Sequence, residues 1–305
     1  MSFKLTILGC NAATPTANSY PTAQYLQFAD RYFLIDCGEG TQMQLRKYRA
    51  KINKIHHIFI SHLHGDHFFG LIGLVSTFQL LGRVEDLHIY GPKGIREIIE
   101  VQLKLTQSYK TFVIYYHELE STESELIFED HQVEVFTIPL KHRTYCNGYL
   151  FKEKIKKRGI NIDAVSQYPE IEVCDYQNLK NGKDYVLQNG EIICNEILTF
   201  DPPKPLTYAF CSDTCFNPSI IPLIKNVDLL YHEATFLEDK KALTKKTGHS
   251  TALEAAQIAL EAKVRKLIIG HFSGRYLDLD KFKEEAQRKF KKVELAREGL
   301  QFVVK

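Results

Sequence analysis

The sequence predicts a layered α/β fold. Three observations carry the prediction: apolar runs of strand length alternate with helical stretches, the alternation occurs in two similar halves, and 305 residues suffice for one large domain with an inserted element. The first half opens on the strand-like run Phe3-Lys4-Leu5-Thr6-Ile7-Leu8. Further strands are expected near 25–29, 32–36, 55–60 and 87–90, with helical stretches near 39–49, 67–81 and 92–104. Residues 112–151 are β-rich. A polar, weakly periodic segment from 152 to about 184 follows and reads as an insert. Alternation then resumes, with strands near 206–212, 227–231 and 266–270 and helical stretches near 216–224, 251–262 and 280–290. No low-complexity segment or short internal repeat interrupts the pattern.

Composition excludes several classes. Lys and Arg total 39 against 37 Asp and Glu, a formal net charge of +2, so any polyanionic partner must be held by a local patch rather than by bulk charge. The seven cysteines form no C-x-x-C pair; Cys211 and Cys215 are four apart, and the others are scattered, often inside apolar runs. That usage predicts reduced thiols in a cytoplasmic protein rather than a disulfide framework. The first residues read as a strand without signal-peptide architecture, and no apolar stretch is long enough to span a bilayer, so no membrane role is expected.

The segment His62-Leu63-His64-Gly65-Asp66-His67 carries the chemistry. It places three imidazoles and a carboxylate directly after the apolar run 55–61. Neutral imidazole and carboxylate are ligands that borderline divalent metals such as zinc prefer. His62 and His64, two apart, point to one side of an extended turn, Gly65 lets the chain turn sharply, and Asp66 and His67 open the following helix in another direction. The spacing suits two metals, His62 and His64 on one, Asp66 and His67 on the other. Such ions, roughly 3.5–4 Å apart, serve in-line displacement in phosphatases and nucleases. Further ligand candidates are His142, Asp213 and His271, each following a strand-like run, where sheet topology gathers ligand-binding side chains.

This H-x-H-x-D-H segment with a later His, Asp and His resembles the metallo-β-lactamase superfamily. Asp36-Cys37-Gly38-Glu39-Gly40-Thr41-Gln42, Tyr90-Gly91-Pro92-Lys93-Gly94, His232-Glu233-Ala234-Thr235-Phe236, His249-Ser250-Thr251 and His271-Phe272-Ser273-Gly274-Arg275-Tyr276 resemble the ribonuclease Z branch along almost the whole chain. The resemblance implies a four-layer αββα sandwich, a single domain over 1–305 with an inserted tRNA-binding arm at about 152–184. It implies two zinc ions per subunit: His62, His64 and His142 on one, Asp66, His67 and His271 on the other, and Asp213 bridging. It implies a zinc-dependent endoribonuclease that removes the 3′ trailer from pre-tRNA, leaving a 3′-hydroxyl on the tRNA and a 5′-phosphate on the trailer. Asp66 is the expected proton acceptor for the attacking water, His249 the donor to the leaving oxygen and Glu233 its orienting carboxylate, while Asp36 and His232 orient ligands from behind. A homodimer is expected from the relatives.

The basic run Lys152, Lys154, Lys156, Lys157 and Arg158 opens the insert and is the expected nucleic-acid contact, although Asp163, Glu170, Glu172 and Asp175 follow it and do not help grip phosphate. His56, His57, His88, His117 and His131 lack ligand-like neighbours, and Cys215 has no obvious base beside it. Two other readings stay open. One is a binuclear-zinc hydrolase of the same superfamily acting on a small-molecule ester, thioester or phosphodiester; the other is a non-catalytic RNA-binding protein that retains metals structurally.

Overall fold

The computed structural model describes residues 3–28, 30–108 and 111–304; the last residue of the strand expected at 25–29 lies outside the described residues. In the first half, β1 (Phe3–Gly9), β2 (Ala23–Phe28), β3 (Arg31–Ile35), β4 (Ile55–Phe59), β5 (Leu87–Pro92) and β6 (Ile114–Leu119) follow one another. Then come β7 (Leu126–Glu129), β8 (Val133–Pro139), β9 (Asn147–Glu153), β10 (Thr207–Cys211), β11 (Leu229–Glu233), β12 (Leu267–Gly270), β13 (Val293–Leu295) and β14 (Gln301–Val304). Among the described residues they form two seven-stranded sheets, ordered β14-β1-β2-β3-β4-β5-β6 and β13-β12-β11-β10-β9-β8-β7. β3 to β6 run parallel, as do β10 to β13.

The parallel strands are apolar on both sides because both sides are covered. Between the sheets, Phe33 and Phe59 meet Phe151 with ring centroids 5.3 and 5.4 Å apart, and Phe59 meets Tyr149 at 5.2 Å. On the outer face of the first sheet lie α1 (Thr41–Lys47), α3 (Gly70–Leu80) and α4 (Ile95–Leu105). Leu71, Leu74, Val75 and Phe78 recur at helical spacing, as do Ile95, Ile99 and Leu103, and all are buried against Leu34, Ile58, Ile60 and Ile89. α6 (Ala252–Glu261), started by the Thr251–Glu254 capping box, and α7 (Asp280–Gln287) cover the second sheet. Helix, sheet, sheet, helix: the expected αββα sandwich is the fold.

Two local expectations are corrected. Residues 216–224 hold only a single 3₁₀ turn, Pro218–Ile220, because Pro222 lacks the N–H a helix interior needs. The strand expected at 227–231 lies at Leu229–Glu233, so His232 and Glu233 are themselves strand residues. Its start is set by Asp228, whose Oδ2 accepts hydrogen bonds from the Thr207 N–H (3.0 Å) and hydroxyl (2.9 Å). The short β13 and β14 and the charged helix α5 (Lys241–Thr247) carried no sequence signal strong enough to be read.

Glu153–Pro205, with Asp130–Val133, separates from the rest as a second compact unit. It extends beyond the segment 152–184 singled out by polarity. Val165, Ile171, Leu179, Ile193 and Leu198 form a small core of its own. The Asn195 side chain ties the carbonyls of Leu179 and Lys183 together at 2.8 Å each.

Candidate active site

Every candidate ligand stands just past the C-terminal end of a strand. Asp36 follows β3, the histidine-rich segment follows β4, His142 follows β8, Asp213 follows β10 and His271 follows β12. His64 is the extended residue before α2 (Gly65–Phe68), and Asp66 and His67 occupy that helix's first turn. α2 passes into α3 at Gly70, where a Cβ would stand 2.1 Å from the Gly38 carbonyl oxygen. Only glycine lets the helix approach the β3 turn this closely. Asp36 (φ 56°), His271 (φ 60°) and Ala13 (φ 59°) all hold left-handed backbone conformations, strain of the kind that functional sites store.

Two donor sets share Asp213. In one, Asp66 Oδ2, His67 Nε2, His271 Nε2 and Asp213 Oδ1 converge. The His67 nitrogen lies 3.4 Å from both carboxylate oxygens, and the His271 nitrogen lies 3.4 Å from Asp66 and 3.3 Å from Asp213. The two nitrogens are 3.3 Å apart. These separations exceed the roughly 2.7–2.9 Å of a charged N–H···O hydrogen bond. They equal the edge of a tetrahedron with vertices about 2.0–2.1 Å from its centre, the usual zinc–nitrogen distance. The other set is looser. His64 Nδ1 lies 3.0 Å from His62 Nε2 and 3.3 Å from His142 Nε2, with Asp213 Oδ2 at 3.6 and 3.9 Å from those two nitrogens. The seven candidate ligands thus fall into groups of metal-binding size, His62, His64, His142 and Asp213 in one and Asp66, His67 and His271 in another, while Asp213 and His271 form a third with His249.

The far nitrogens decide what the near ones can do. His67 Nδ1 donates to Asp36 Oδ2 at 2.7 Å, and His142 Nδ1 donates to the Gly248 carbonyl at 2.7 Å. His62 Nδ1 meets the Ser61 hydroxyl at 3.0 Å, whose proton is already given to Asp36. His271 Nδ1 meets the Thr235 hydroxyl at 2.9 Å, whose proton goes to Glu233. In each neutral ring the proton therefore sits on Nδ1 and a bare lone pair on Nε2 faces the centre, the arrangement found behind metal-ligating histidines. Bare nitrogens and anionic carboxylates converging in this way fit divalent cations.

Beside this centre stands a histidine–carboxylate pair. Glu233, fully buried, accepts from the Thr214, Ser250 and Thr235 N–H groups at 3.2, 3.0 and 2.8 Å, from the Thr235 hydroxyl, and from His249 Nδ1 at 3.0 Å. Burial alone would lower the His249 pKa, but the Glu233 carboxylate, with Asp213 behind it, raises it to about 9. The protonated form of His249 is thereby favoured, with its Nδ1–H tied down by Glu233.

A cavity of about 310 Å³ opens over the centre, lined by His64, Asp66, His249, Phe236, Arg143 and Arg275 among others. The two arginines were missed in the sequence reading; both lie near singled-out residues, but a lone arginine carries no spacing signal. The Ala13 N–H, which donates to Asp66 Oδ2 at 2.8 Å, was equally invisible because a backbone group has no residue type. His232 is a correction. Its Nδ1 bonds the neighbouring Glu233 carbonyl at 2.7 Å and it supports no ligand, so of the two residues expected behind the ligands only Asp36 does so.

Several charges of the basic run are paired: Lys156 with Glu153 at 2.6 Å, Lys152 with Glu134 at 3.8 Å, and Arg158 with Asp201. Lys154 and Lys157 are its other members. Residues 153–205 carry seven Lys and Arg against nine Asp and Glu, a net of −2.

Residues 3–171 match the family model described as anti-Pycsar protein Apyc1. Ribonuclease Z of Bacteroides fragilis is 48% identical over 298 residues, 98% of each chain. Among solved structures, the short form of human tRNase Z superposes with a TM-score of 0.72 at 28% identity, covering 98% of each chain. A metallo-β-lactamase fold protein from Bacillus subtilis does so with a TM-score of 0.69 at 21% identity over both chains in full. Identity of this order over nearly every residue, with a site assembled as above, leaves one conclusion: the chain belongs to the ribonuclease Z family, and through residues 3–171 to the family of the anti-Pycsar protein Apyc1 model.

Proposed function

We propose that this chain is a metal-dependent endoribonuclease that cuts pre-tRNA after the discriminator nucleotide and releases the 3′ trailer. The observation that carries the reading is the pairing of convergent metal-donor sets with the Glu233-bound His249 beside one cavity. Zinc is the metal we assign, two ions per subunit, because imidazole nitrogen dominates the donors and the separations match zinc–nitrogen geometry. Bound there, the cations would supply Lewis acidity, easing deprotonation of water and neutralising charge on the phosphate.

The remaining roles fall to the protein. Arg143 and Arg275 would hold non-bridging phosphate oxygens, which guanidinium recognises by bidentate hydrogen bonding. Asp66 serves as a carboxylate whose Oδ2 also accepts the Ala13 N–H at 2.8 Å. We assign it both a ligand role and, through Oδ1, the hydrogen bond that orients the attacking water and accepts its proton. His249 gives a proton to the departing 3′-oxygen, and Glu233 holds its ring in place and stabilises its charge. The products are a tRNA ending in a 3′-hydroxyl and a trailer beginning with a 5′-phosphate.

The insert beginning at Lys152 is assigned to the tRNA body, with Lys152, Lys154, Lys156, Lys157 and Arg158 as its phosphate contacts. We further propose a cytoplasmic homodimer, in keeping with the reduced cysteines; among the described residues no helix is long and apolar enough to cross a membrane. The test is cleavage of a pre-tRNA bearing a 3′ trailer, with the product ends mapped, before and after chelation. The expected result is one cut at the discriminator, lost with chelator and restored by zinc. Cleavage that ignores the chelator contradicts the reading.

A further inference from the structure

Two cavities meet at Asp66. The first, over the donor sets, contains Arg143 and Arg275 and so suits phosphate. The second, about 370 Å³, shares Ala13 and Asp66 with it and is otherwise lined by Thr14, Pro15, Pro21, Glu39, Gly65 and Phe69. No lysine or arginine lines this second cavity, and its two ionisable groups are carboxylates. It repels phosphate and offers apolar faces instead.

Phe69 is the unusual residue there. It is 64% exposed although it directly follows the buried Phe68 and stands two residues from a metal-ligand candidate. Its ring lies against the backbone of Gly65, where a Cβ would come within 2.2 Å of a ring carbon, and it meets Phe68 edge-on at 5.0 Å. The side chain is therefore held in one place while much of its surface faces solvent. Ring surface left open at the edge of the cavity is surface that a flat apolar group can cover. Single-stranded nucleic acid supplies the missing partner, because an unstacked base packs on such a ring regardless of sequence.

We propose that Phe69 is the stacking platform for the base of the first trailer nucleotide, the one immediately 3′ of the cut; this rests on the function proposed above. The assignment to that nucleotide follows from which walls the two cavities share. His249, the donor to the leaving 3′-oxygen, belongs with Phe236 and Thr247 to the first cavity alone, so the nucleotide bearing that oxygen lies on their side. The second cavity adjoins the first only through Ala13 and Asp66, and takes the base of the next nucleotide, whose 5′-phosphate stays with Arg143 and Arg275 in the first. Phe69 is a specificity residue in this scheme and takes no part in the bond exchange.

The test compares a pre-tRNA with an intact first trailer nucleotide against one made abasic at that position. Wild type is expected to lose about tenfold in kcat/KM on the abasic RNA, the size expected of one base–aromatic stack. Phe69→Ala is expected to lose about as much on intact RNA and nothing further on the abasic one, while Phe69→Trp stays near wild type on both. Equal losses for Phe69→Ala on the two RNAs, or wild-type indifference to the missing base, would overturn the proposal. If wild type does not cut pre-tRNA at all, the proposed function fails, and the subsite is decided by 2-aminopurine placed at the same position. Its fluorescence should be quenched on binding wild type and not Phe69→Ala; no quenching in wild type overturns the subsite too.

Discussion

His249 and Asp36 are both imidazole–carboxylate contacts, and they do opposite things. His67 gives its Nδ1 proton to Asp36 and presents a bare nitrogen to the centre, whereas His249 is held protonated by Glu233. The two contacts make separable predictions. Asp36→Asn should weaken metal affinity about 10–100-fold, measured by competition with a chromophoric chelator, because the ring loses its orienting acceptor. His249→Ala should leave metal content unchanged and lower kcat by roughly 10²–10⁴-fold, the usual contribution of a general acid. The sign of the pH effect follows from the raised pKa. His249 is charged below about pH 9 and neutral above it, so turnover falls as pH rises through about 9, and His249→Ala abolishes that alkaline limb. Asp66→Ala should abolish cleavage yet leave pre-tRNA binding in a gel-shift assay close to wild type.

At the scale of elements, the site is a product of strand ends. The apolar runs that became β4, β10 and β12 were legible because parallel strands covered on both faces are continuously apolar, and a ligand type right after such a run stood out. The strand bearing His232 and Glu233 was read two residues early, since Asn226-Val227-Asp228 gave no sign that Asp228 would anchor the turn instead of joining the strand. Arg143, Arg275 and the Ala13 N–H reach the cavity through loop geometry, which no periodicity encodes. The Ala13 loop gives its own prediction. Ala13→Gly, which relieves a left-handed φ, should be neutral or stabilising by up to about 1 kcal/mol in denaturant melts. In the inter-sheet layer, Phe151→Ala should cost about 3–5 kcal/mol by the same measurement, since its ring meets both Phe33 and Phe59.

For the whole molecule, charge and metal matter more than any one contact. A chain of net charge +2 whose insert is net acidic has few cations to spend on phosphate. Replacing Lys154 and Lys157 by alanine should therefore shift the slope of log affinity against log salt by no more than about two, roughly one per lost contact. Cations held only by the folded state stabilise it by mass action, so chelation should lower Tm together with activity, and zinc should restore both. The donor sets join residues from both sheets, His62 to His67 from the first and His142, Asp213 and His271 from the second, so this stabilisation clamps the two sheets at one edge. The most direct measurement is anomalous X-ray scattering at the zinc edge from crystals of the reloaded protein. Two peaks flanking Asp213, one in each donor set, are the predicted result; a single peak, or none after reloading, would contradict the account.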